Sequence, residues 1–221
     1  MLIVTQKYHV FNKGYFFLTL TLYYLQKMFG LPGQEAPLHK VPVLGDAAVG
    51  KTCIVDWIHN KQFNPATMSN VGVSTTQVTI KLDDKEVPLS LWDTAGQETY
   101  RSLVPLYTRN AAVILLVFDI SERKSFRNLV GWMNYIRNDL AATCPVMLVC
   151  NKIDRDGGVP RPEIREFAES NSLTVNYTSA VTGQGIEELF NEVATLVITK
   201  AKPKIESGPN LANAQKKKGC C

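Results

Sequence analysis

One segment of the sequence has residue types and spacing that could bind a polyphosphate. Gly45 to Thr52 (GDAAVGKT) fits the pattern GxxxxGK(S/T), follows the apolar run Lys40 to Leu44 and opens a predicted helix over Val49 to Lys61. Its glycines let the backbone curl so that N–H groups face an anion at the positive end of the helix. Lys51 supplies a point charge, and the Thr52 hydroxyl is an oxygen ligand suited to Mg²⁺. The pattern alone is not decisive, because it should arise by chance in about one chain in a hundred.

Three further polar segments lie at the ends of predicted strands. They are Asp93 to Gln97 (DTAGQ), Asn151 to Asp154 (NKID) and Thr178 to Ala180 (TSA). In an open α/β sheet the carboxyl ends of the strands share one crevice, and ligands bind there. Any one of these segments could be a solvated loop, but four in one crevice predict a single binding site.

The rest of the chain supplies the elements that must position these segments. Continuous apolar runs at Ala112 to Asp119 and Val146 to Asn151 indicate strands buried on both faces of a parallel sheet. We also predict a strand over Thr174 to Tyr177, and a hairpin whose strands, Val78 to Leu82 and Val87 to Trp92, flank a turn over Asp83 to Glu86. Apolar residues at spacings of three and four predict helices over Phe126 to Leu140, Pro162 to Asn171 and Ile186 to Val197.

Strands that alternate with helices predict an α/β fold, a doubly wound and mostly parallel six-stranded sheet with helices on both faces. Pro42 lies inside the predicted first strand, where a proline cannot donate a ladder hydrogen bond. We therefore expect either a local distortion of that strand or irregular pairing at Pro42.

Composition excludes several classes of protein. The 221 residues carry a net charge of only +4, which gives no indication of a nucleic-acid partner. The five cysteines have no CxxC spacing and the three histidines are scattered, so we expect neither a disulfide framework nor a zinc site. The chain length fits one globular domain with tails.

In order and spacing, the four motifs resemble those of the Ras-superfamily small GTPases, over about Lys40 to Ala201. The resemblance implies the small-GTPase fold, with GTP or GDP as ligand and Mg²⁺ as cofactor. It assigns phosphate binding to Ala48, Val49, Gly50, Lys51, Thr52, Cys53 and Gly96. It assigns guanine binding to Asn151, Lys152, Asp154, Ser179 and Ala180. Adenine would leave the Asp154 carboxylate unpaired, which separates this class from ATPases and nucleotide kinases.

The same resemblance implies a slow hydrolase. Thr52 would bind Mg²⁺ directly and Asp93 through water, while Gln97 would orient the attacking water as the catalytic residue. Without a built-in arginine, the reaction would await an activating protein that supplies one. A guanine-nucleotide exchange factor would then replace the bound GDP with GTP.

The end of the chain narrows the resemblance to the Rab family. Lys216 to Cys221 (KKKGCC) is similar to a double-geranylgeranyl site on Cys220 and Cys221. Two lipid chains anchor stably where one does not, and lysines add attraction to acidic lipids. The amino-acid sequence from Tyr100 to Tyr107 is similar to that of the Golgi and endosomal Rab groups. This implies a switch in vesicle transport on the cytoplasmic face of Golgi or endosomal membranes, with trafficking effectors and a GDP-dissociation inhibitor or escort protein as partners.

Two residues depart from the Rab pattern. Asn70 stands at the position of the first-switch threonine, and its carbonyl oxygen is a doubtful Mg²⁺ ligand because it lies one bond further out. Thr75 replaces a phenylalanine of the aromatic trio that effectors contact, while Trp92 and Tyr107 keep the other two positions. The alternative function is therefore a GTP-binding scaffold with negligible hydrolysis.

The sequence divides into three parts: an N-terminal extension (1–38), a GTPase domain (39–201) and a flexible basic tail (202–221). In the extension, Tyr15 to Leu25 is apolar but about half the length of a membrane-spanning helix. Our hypothesis is that translation begins at Met28, so that residues 1–27 are not part of the native protein. A membrane anchor at Tyr15 to Leu25 is the disfavoured alternative.

Overall fold

A computed structural model of the chain describes residues 37–67, 72–94, 104–156 and 158–201. The strands in these ranges are β1 (His39–Leu44), β2 (Val73–Leu82), β3 (Lys85–Thr94), β4 (Ile114–Asp119), β5 (Val146–Asn151) and β6 (Thr174–Tyr177). The helices are α1 (Lys51–Asn60), α2 (Val104–Thr108), α3 (Arg123–Asn134), α4 (Arg161–Asn171) and α5 (Ile186–Ala201). Five predicted site residues lie outside these ranges: Asn70, Gly96, Gln97, Cys220 and Cys221.

The strands form one six-stranded sheet in the order β2-β3-β1-β4-β5-β6. Neighbouring strands are parallel except for the antiparallel pair β2 and β3. Strands alternate with helices along the chain from β3 onward, as right-handed crossover units require. The predicted α/β fold with a mostly parallel six-stranded sheet is confirmed.

The hairpin is longer than the sequence predicts. Its register pairs residues continuously from Val73 with Thr94 to Leu82 with Lys85, so the turn consists of Asp83 and Asp84 alone. Asp83 has a φ of 49°, a left-handed conformation that aspartate tolerates in turns. The first half of β2 lacks apolar alternation because it is the mostly exposed edge of the sheet, and a pattern search therefore misses it.

Pro42 pairs regularly with strand β3 and precedes the first residue of β1 that pairs with strand β4. The register between β1 and β3 continues through Pro42, which stands opposite Trp92. The ladder between β1 and β4 begins only at Val43, while the carbonyl of Lys40 accepts from the Ala112 N–H at 2.8 Å. Backbone groups of every second residue face the same neighbour, so the missing donor of Pro42 faces the start of β4. The strand needs no distortion.

The two faces of the sheet carry separate apolar cores. Alternate residues of β4 contribute to the two cores: Leu115 and Val117 pack into the first, and Leu116 and Phe118 pack into the second. The first core is covered by α1 and α5 and the second by α3 and α4. Helices therefore cover both faces, as predicted.

Several helix boundaries differ from the predicted ones, and two of these differences have a clear physical cause. Helix α1 begins at Lys51 rather than Val49, because Gly50 before it has a φ of 97°. Helix α3 ends at Asn134 and continues as a π-helical turn over Tyr135–Asp139, in which the Leu140 N–H donates to the Tyr135 carbonyl. The predicted single helix to Leu140 is therefore wrong in its last turn.

Candidate functional site

The segment between β1 and α1 is a tight loop whose curvature depends on glycine. Gly45 has a φ of 139°, and a Cβ there would lie 2.1 Å from the Val117 carbonyl oxygen. At Gly50, with a φ of 97°, a Cβ would lie 2.3 Å from Nδ2 of Asn151. Neither position has room for a side chain. The loop is thus pressed against the ends of β4 and β5, as a phosphate-binding loop in this context requires.

Lys51 brings a buried ammonium group to the beginning of α1. Its Nζ donates to the carbonyls of Gly45 and Asp46 at 3.0 and 2.6 Å. Burial lowers the pKa of Lys51 to about 8, against the opposing charges of Asp93 and Asp46. An anion bound at the helix N-terminus would raise that pKa again, since it favours the charged form. The arrangement therefore suits a polyphosphate.

Three further predicted residues lie near this lysine: Thr52, Cys53 and Asp93. Thr52 and Cys53 follow it in the first turn of α1, both half-buried. Burial, followed by the Asp56 charge, raises the pKa of the Cys53 thiol, so the thiol stays neutral. Asp93 is 1% exposed at the end of β3. A threonine hydroxyl and a carboxylate are hard oxygen donors, so Thr52 and Asp93 fit Mg²⁺.

Asn151, in the motif at the end of β5, connects the loop to the motif that follows β6. Its Nδ2 donates to the Val49 carbonyl at 2.9 Å, while its Oδ1 accepts from the Thr178 hydroxyl at 3.1 Å. Asn151 and Thr178 are both almost fully buried. Because both ends of this amide are occupied, its orientation is fixed, and it holds the loop, β5 and the end of β6 together.

Lys152 makes a second bridge to the loop. With a φ of 66°, it directs its ammonium between the Ala48 carbonyl and the Asp119 carboxylate, each 2.7 Å away. Burial alone would raise the pKa of Asp119, but hydrogen bonds from Lys152 and from the Ser121 hydroxyl and N–H make it lower than usual. Asp119 is therefore ionised and fixes the lysine stem across the loop.

The predicted guanine-binding residues lie next to one another. The Ser179 hydroxyl donates to the Asp154 carboxylate, and the Ile153 N–H donates to the Thr178 carbonyl at 3.2 Å. Ser179 and Ala180 are buried, whereas Asp154 is exposed. The carboxylate is thus oriented by one hydroxyl and open to a ligand that offers N–H donors.

Sequence reasoning missed two acidic residues that hold this site. Asp119 orients Lys152, as described above. Asp46, inside the phosphate-binding loop, accepts from Nδ2 of Asn128 at 2.7 Å and from Nε1 of Trp132 at 2.8 Å. Asn128 and Trp132 are four residues apart and share one face of α3, but this spacing alone does not indicate that they contact the loop.

Other predicted residues lie outside the described part of the chain. These are Asn70, Gly96 and Gln97, together with Met28, Cys220 and Cys221. Among the described helices, none combines the length and the apolar character that crossing a membrane requires.

Comparison with known proteins agrees with this geometry. A sequence model of the Ras family matches residues 40–199, from β1 into α5. The chain is similar to Ras-related protein RABA1b of Arabidopsis thaliana, with 35% identity over 202 residues, covering 83% of this chain and 94% of that protein. The family match includes the phosphate-binding loop and the motifs that contact it. The chain belongs to the Ras family and is a small GTPase of the Rab type.

Proposed function

We propose that this protein is a membrane-anchored switch that binds GTP and GDP with Mg²⁺ and hydrolyses GTP slowly. One observation carries the proposal: Asn151 and Lys152 donate to consecutive carbonyls of the phosphate-binding loop, at Val49 and Ala48. The residues expected to contact a base are thereby tied to those expected to contact phosphates. A site with this geometry fits a nucleotide rather than a free phosphate.

The base would be guanine. The exposed Asp154 carboxylate, oriented by Ser179, would accept from the N–H groups on one edge of the ring. The N–H of Ala180 would donate to the guanine carbonyl, and the Lys152 stem would cover the ring face. Adenine would leave the Asp154 charge unpaired, which costs about 1–3 kcal/mol or more.

The phosphates would lie in the loop over Ala48 to Cys53, with Lys51 and the start of α1 supplying positive charge. Mg²⁺ would be held by Thr52 and, through water, by Asp93; when bound, it neutralises charge on the phosphates. Gly96 would contact the γ-phosphate, and Gln97 would orient the attacking water. Hydrolysis would be slow until a GTPase-activating protein supplies an arginine.

Asn70 favours a second candidate function, a GTP-held scaffold with negligible turnover. In this chain it occupies the position from which a first-switch hydroxyl would reach Mg²⁺. Mg²⁺ tolerates little error in ligand distance, so a carbonyl one bond further out would order the first switch weakly. The intact Gln97 favours the hydrolytic function instead.

Single-turnover hydrolysis separates these two functions. We would load wild type, Asn70→Thr and Gln97→Leu with GTP and measure hydrolysis and GTP against ATP binding. A timed switch predicts tight GTP binding, slow hydrolysis in wild type and its loss in Gln97→Leu. A scaffold predicts turnover only in Asn70→Thr. Equal affinity for GTP and ATP would contradict both.

The basic tail would anchor the switch to membranes. Geranylgeranyl groups on Cys220 and Cys221, with Lys216 to Lys218 beside them, would bind the cytoplasmic face of Golgi or endosomal membranes. A GDP-dissociation inhibitor or escort protein would carry the lipidated form through the cytosol. Membrane fractionation of a Cys220→Ser/Cys221→Ser variant tests this: retention on membranes would refute the anchor.

Effectors for vesicle transport would bind the surface around Trp92 and Tyr107, whose ring centroids are 5.7 Å apart. Thr75 stands opposite Trp92 in the hairpin register and is exposed. An aromatic side chain at position 75 would extend the apolar surface formed by Trp92 and Tyr107, whereas threonine adds little apolar area to it. We therefore propose effectors that contact the aromatic pair without needing a third ring, and Thr75→Phe should strengthen binding to effectors that do need one.

A further inference from the structure

A tryptophan on α1 lies directly against the loop that contains the predicted guanine contacts. A Cβ placed on Gly183 would lie 2.3 Å from Cζ2, 2.6 Å from Cε2 and 2.8 Å from Nε1 of Trp57. Gly183 has a φ of 82°, which also favours glycine. The indole ring therefore occupies the space of a side chain, and the loop backbone rests on it.

Gly183 in turn fixes the main chain at Ser179. The Gly183 N–H donates to the Ser179 carbonyl at 2.8 Å, and the Ser179 N–H donates to the Gln184 carbonyl at 2.9 Å. The Ser179 hydroxyl accepts from the Thr182 N–H at 3.1 Å. These bonds close a turn around Ala180, so a displacement of Gly183 would displace the Ala180 N–H.

The ring is itself held by α1 and α5. The Trp57 carbonyl accepts from the Lys61 N–H at 2.7 Å, and the Lys61 ammonium lies 5.6 Å from the ring centroid. The same ammonium is 2.9 Å from Oε1 of Glu187, at the start of α5. This exposed ion pair contributes little by itself. It nevertheless keeps Lys61 beside the ring, so that Trp57 has a defined position on α1, the helix that begins with Lys51.

We infer that Trp57 is a positioning residue for guanine recognition, acting through Gly183 on the Ala180 N–H. The inference rests on the proposed function, since it needs a guanine nucleotide in the site. Trp57 belongs to the helix whose first turn binds phosphate, so it makes the base loop and the phosphate helix one rigid support. Its loss should weaken the hold on the base and leave phosphate chemistry unchanged.

The test measures base contacts and phosphate chemistry separately in Trp57→Ala and Trp57→Phe. Loss of one ordinary hydrogen bond corresponds to about a tenfold change in an equilibrium. We expect GDP to dissociate about tenfold faster from Trp57→Ala and less than that from Trp57→Phe. The affinity for ADP and the single-turnover rate at saturating GTP should stay within about twofold, because neither depends on Ala180.

Ile58→Val is the matched control, because it removes one methylene from a buried residue of the same helix without altering the ring. If this variant speeds GDP dissociation as much as Trp57→Ala, the effect is general loosening and the inference fails. If wild type itself fails to prefer GDP over ADP, the proposed function fails instead. The two failures are therefore distinguishable.

A double-mutant cycle with Gly183→Ala tests the contact directly. Alone, Gly183→Ala should speed GDP dissociation because its methyl group meets the indole ring and because its φ is positive. In the Trp57→Ala background the collision is absent, so the second substitution should have a smaller effect. Multiplicative effects on the dissociation rate would overturn the inference.

Discussion

Replacing Asp46 by alanine should loosen the phosphate-binding loop from helix α3. The Asp46 carboxylate accepts from Nε1 of Trp132 at 2.8 Å and from Nδ2 of Asn128 at 2.7 Å. Trp132 is 8% exposed, whereas Asn128 is exposed. The substitution would therefore remove one hydrogen bond from a buried indole and one from a solvated amide.

The two bonds contribute unequally to the free energy of unfolding. A hydrogen bond to a charged group contributes about 1.5–3 kcal/mol, and Trp132 loses most of that because little water can replace the carboxylate. Asn128 can bond to water instead, so it adds about 0.5 kcal/mol. We expect a loss of about 2–3 kcal/mol in Asp46→Ala. The same change removes a charge that raises the pKa of Lys51, so that pKa should fall below about 8.

The assay is urea unfolding at a fixed saturating GDP concentration, in a cycle of Asp46→Ala, Trp132→Phe and the double variant. The cycle isolates the bond between the two side chains, with an expected coupling of about 1.5 kcal/mol. Asp84→Ala, in the exposed hairpin turn, is the control and should change stability by less than about 0.5 kcal/mol. A coupling below about 0.5 kcal/mol would refute the reasoning.

Three further predictions concern charge. Burial lowers the pKa of Lys51 to about 8 and bound phosphate must raise it, so GDP affinity should fall as pH rises above about 8. Calorimetric titration in a pH series checks this, and Lys51→Arg should lose that pH dependence. Asp119→Ala removes the partner of the Lys152 ammonium and should speed GDP release by about tenfold in stopped-flow fluorescence, with Asp119→Asn intermediate. Glu163→Gln removes the charge that pairs with Arg123 on the surface, so the free energy of thermal unfolding should change by less than about 1 kcal/mol. A larger loss of stability would contradict the view that this exposed ion pair contributes little.

The buried parts of the fold were predictable because burial on both faces leaves an unbroken apolar run. Strands β4 and β5 have this form, and their predicted and observed C-terminal ends coincide. The first half of β2 lacks the signal, since an edge strand can be polar on both sides. The π-helical turn after α3 escapes detection because Ile136 keeps the apolar spacing, and side-chain spacing does not report which carbonyl each N–H selects.

The motifs of the site were predictable, but the side chains that hold them were not. A motif is local, and the ends of parallel strands meet at one edge of a sheet, so a sequence pattern can predict their proximity. Asp46 and Trp132 are separated by 86 residues and belong to different elements. Trp57 has no polar signal in the sequence, because its proposed role depends on an indole ring that lies against a glycine. Such contacts depend on helix placement, which a single sequence does not specify.

The supports of the two ends of the site lie on opposite faces of the sheet. Trp132, which donates to Asp46, belongs to the core under α3 and α4, whereas Trp57 packs against the core under α1 and α5. Asn151 and Lys152 link the proposed base and phosphate ends directly, because their side chains donate to main-chain carbonyls of the loop. Because a main-chain carbonyl moves with its loop, a partner that displaces the loop must also disturb Asn151 and Lys152. Release of the phosphates would then weaken the hold on the base without any direct contact to it.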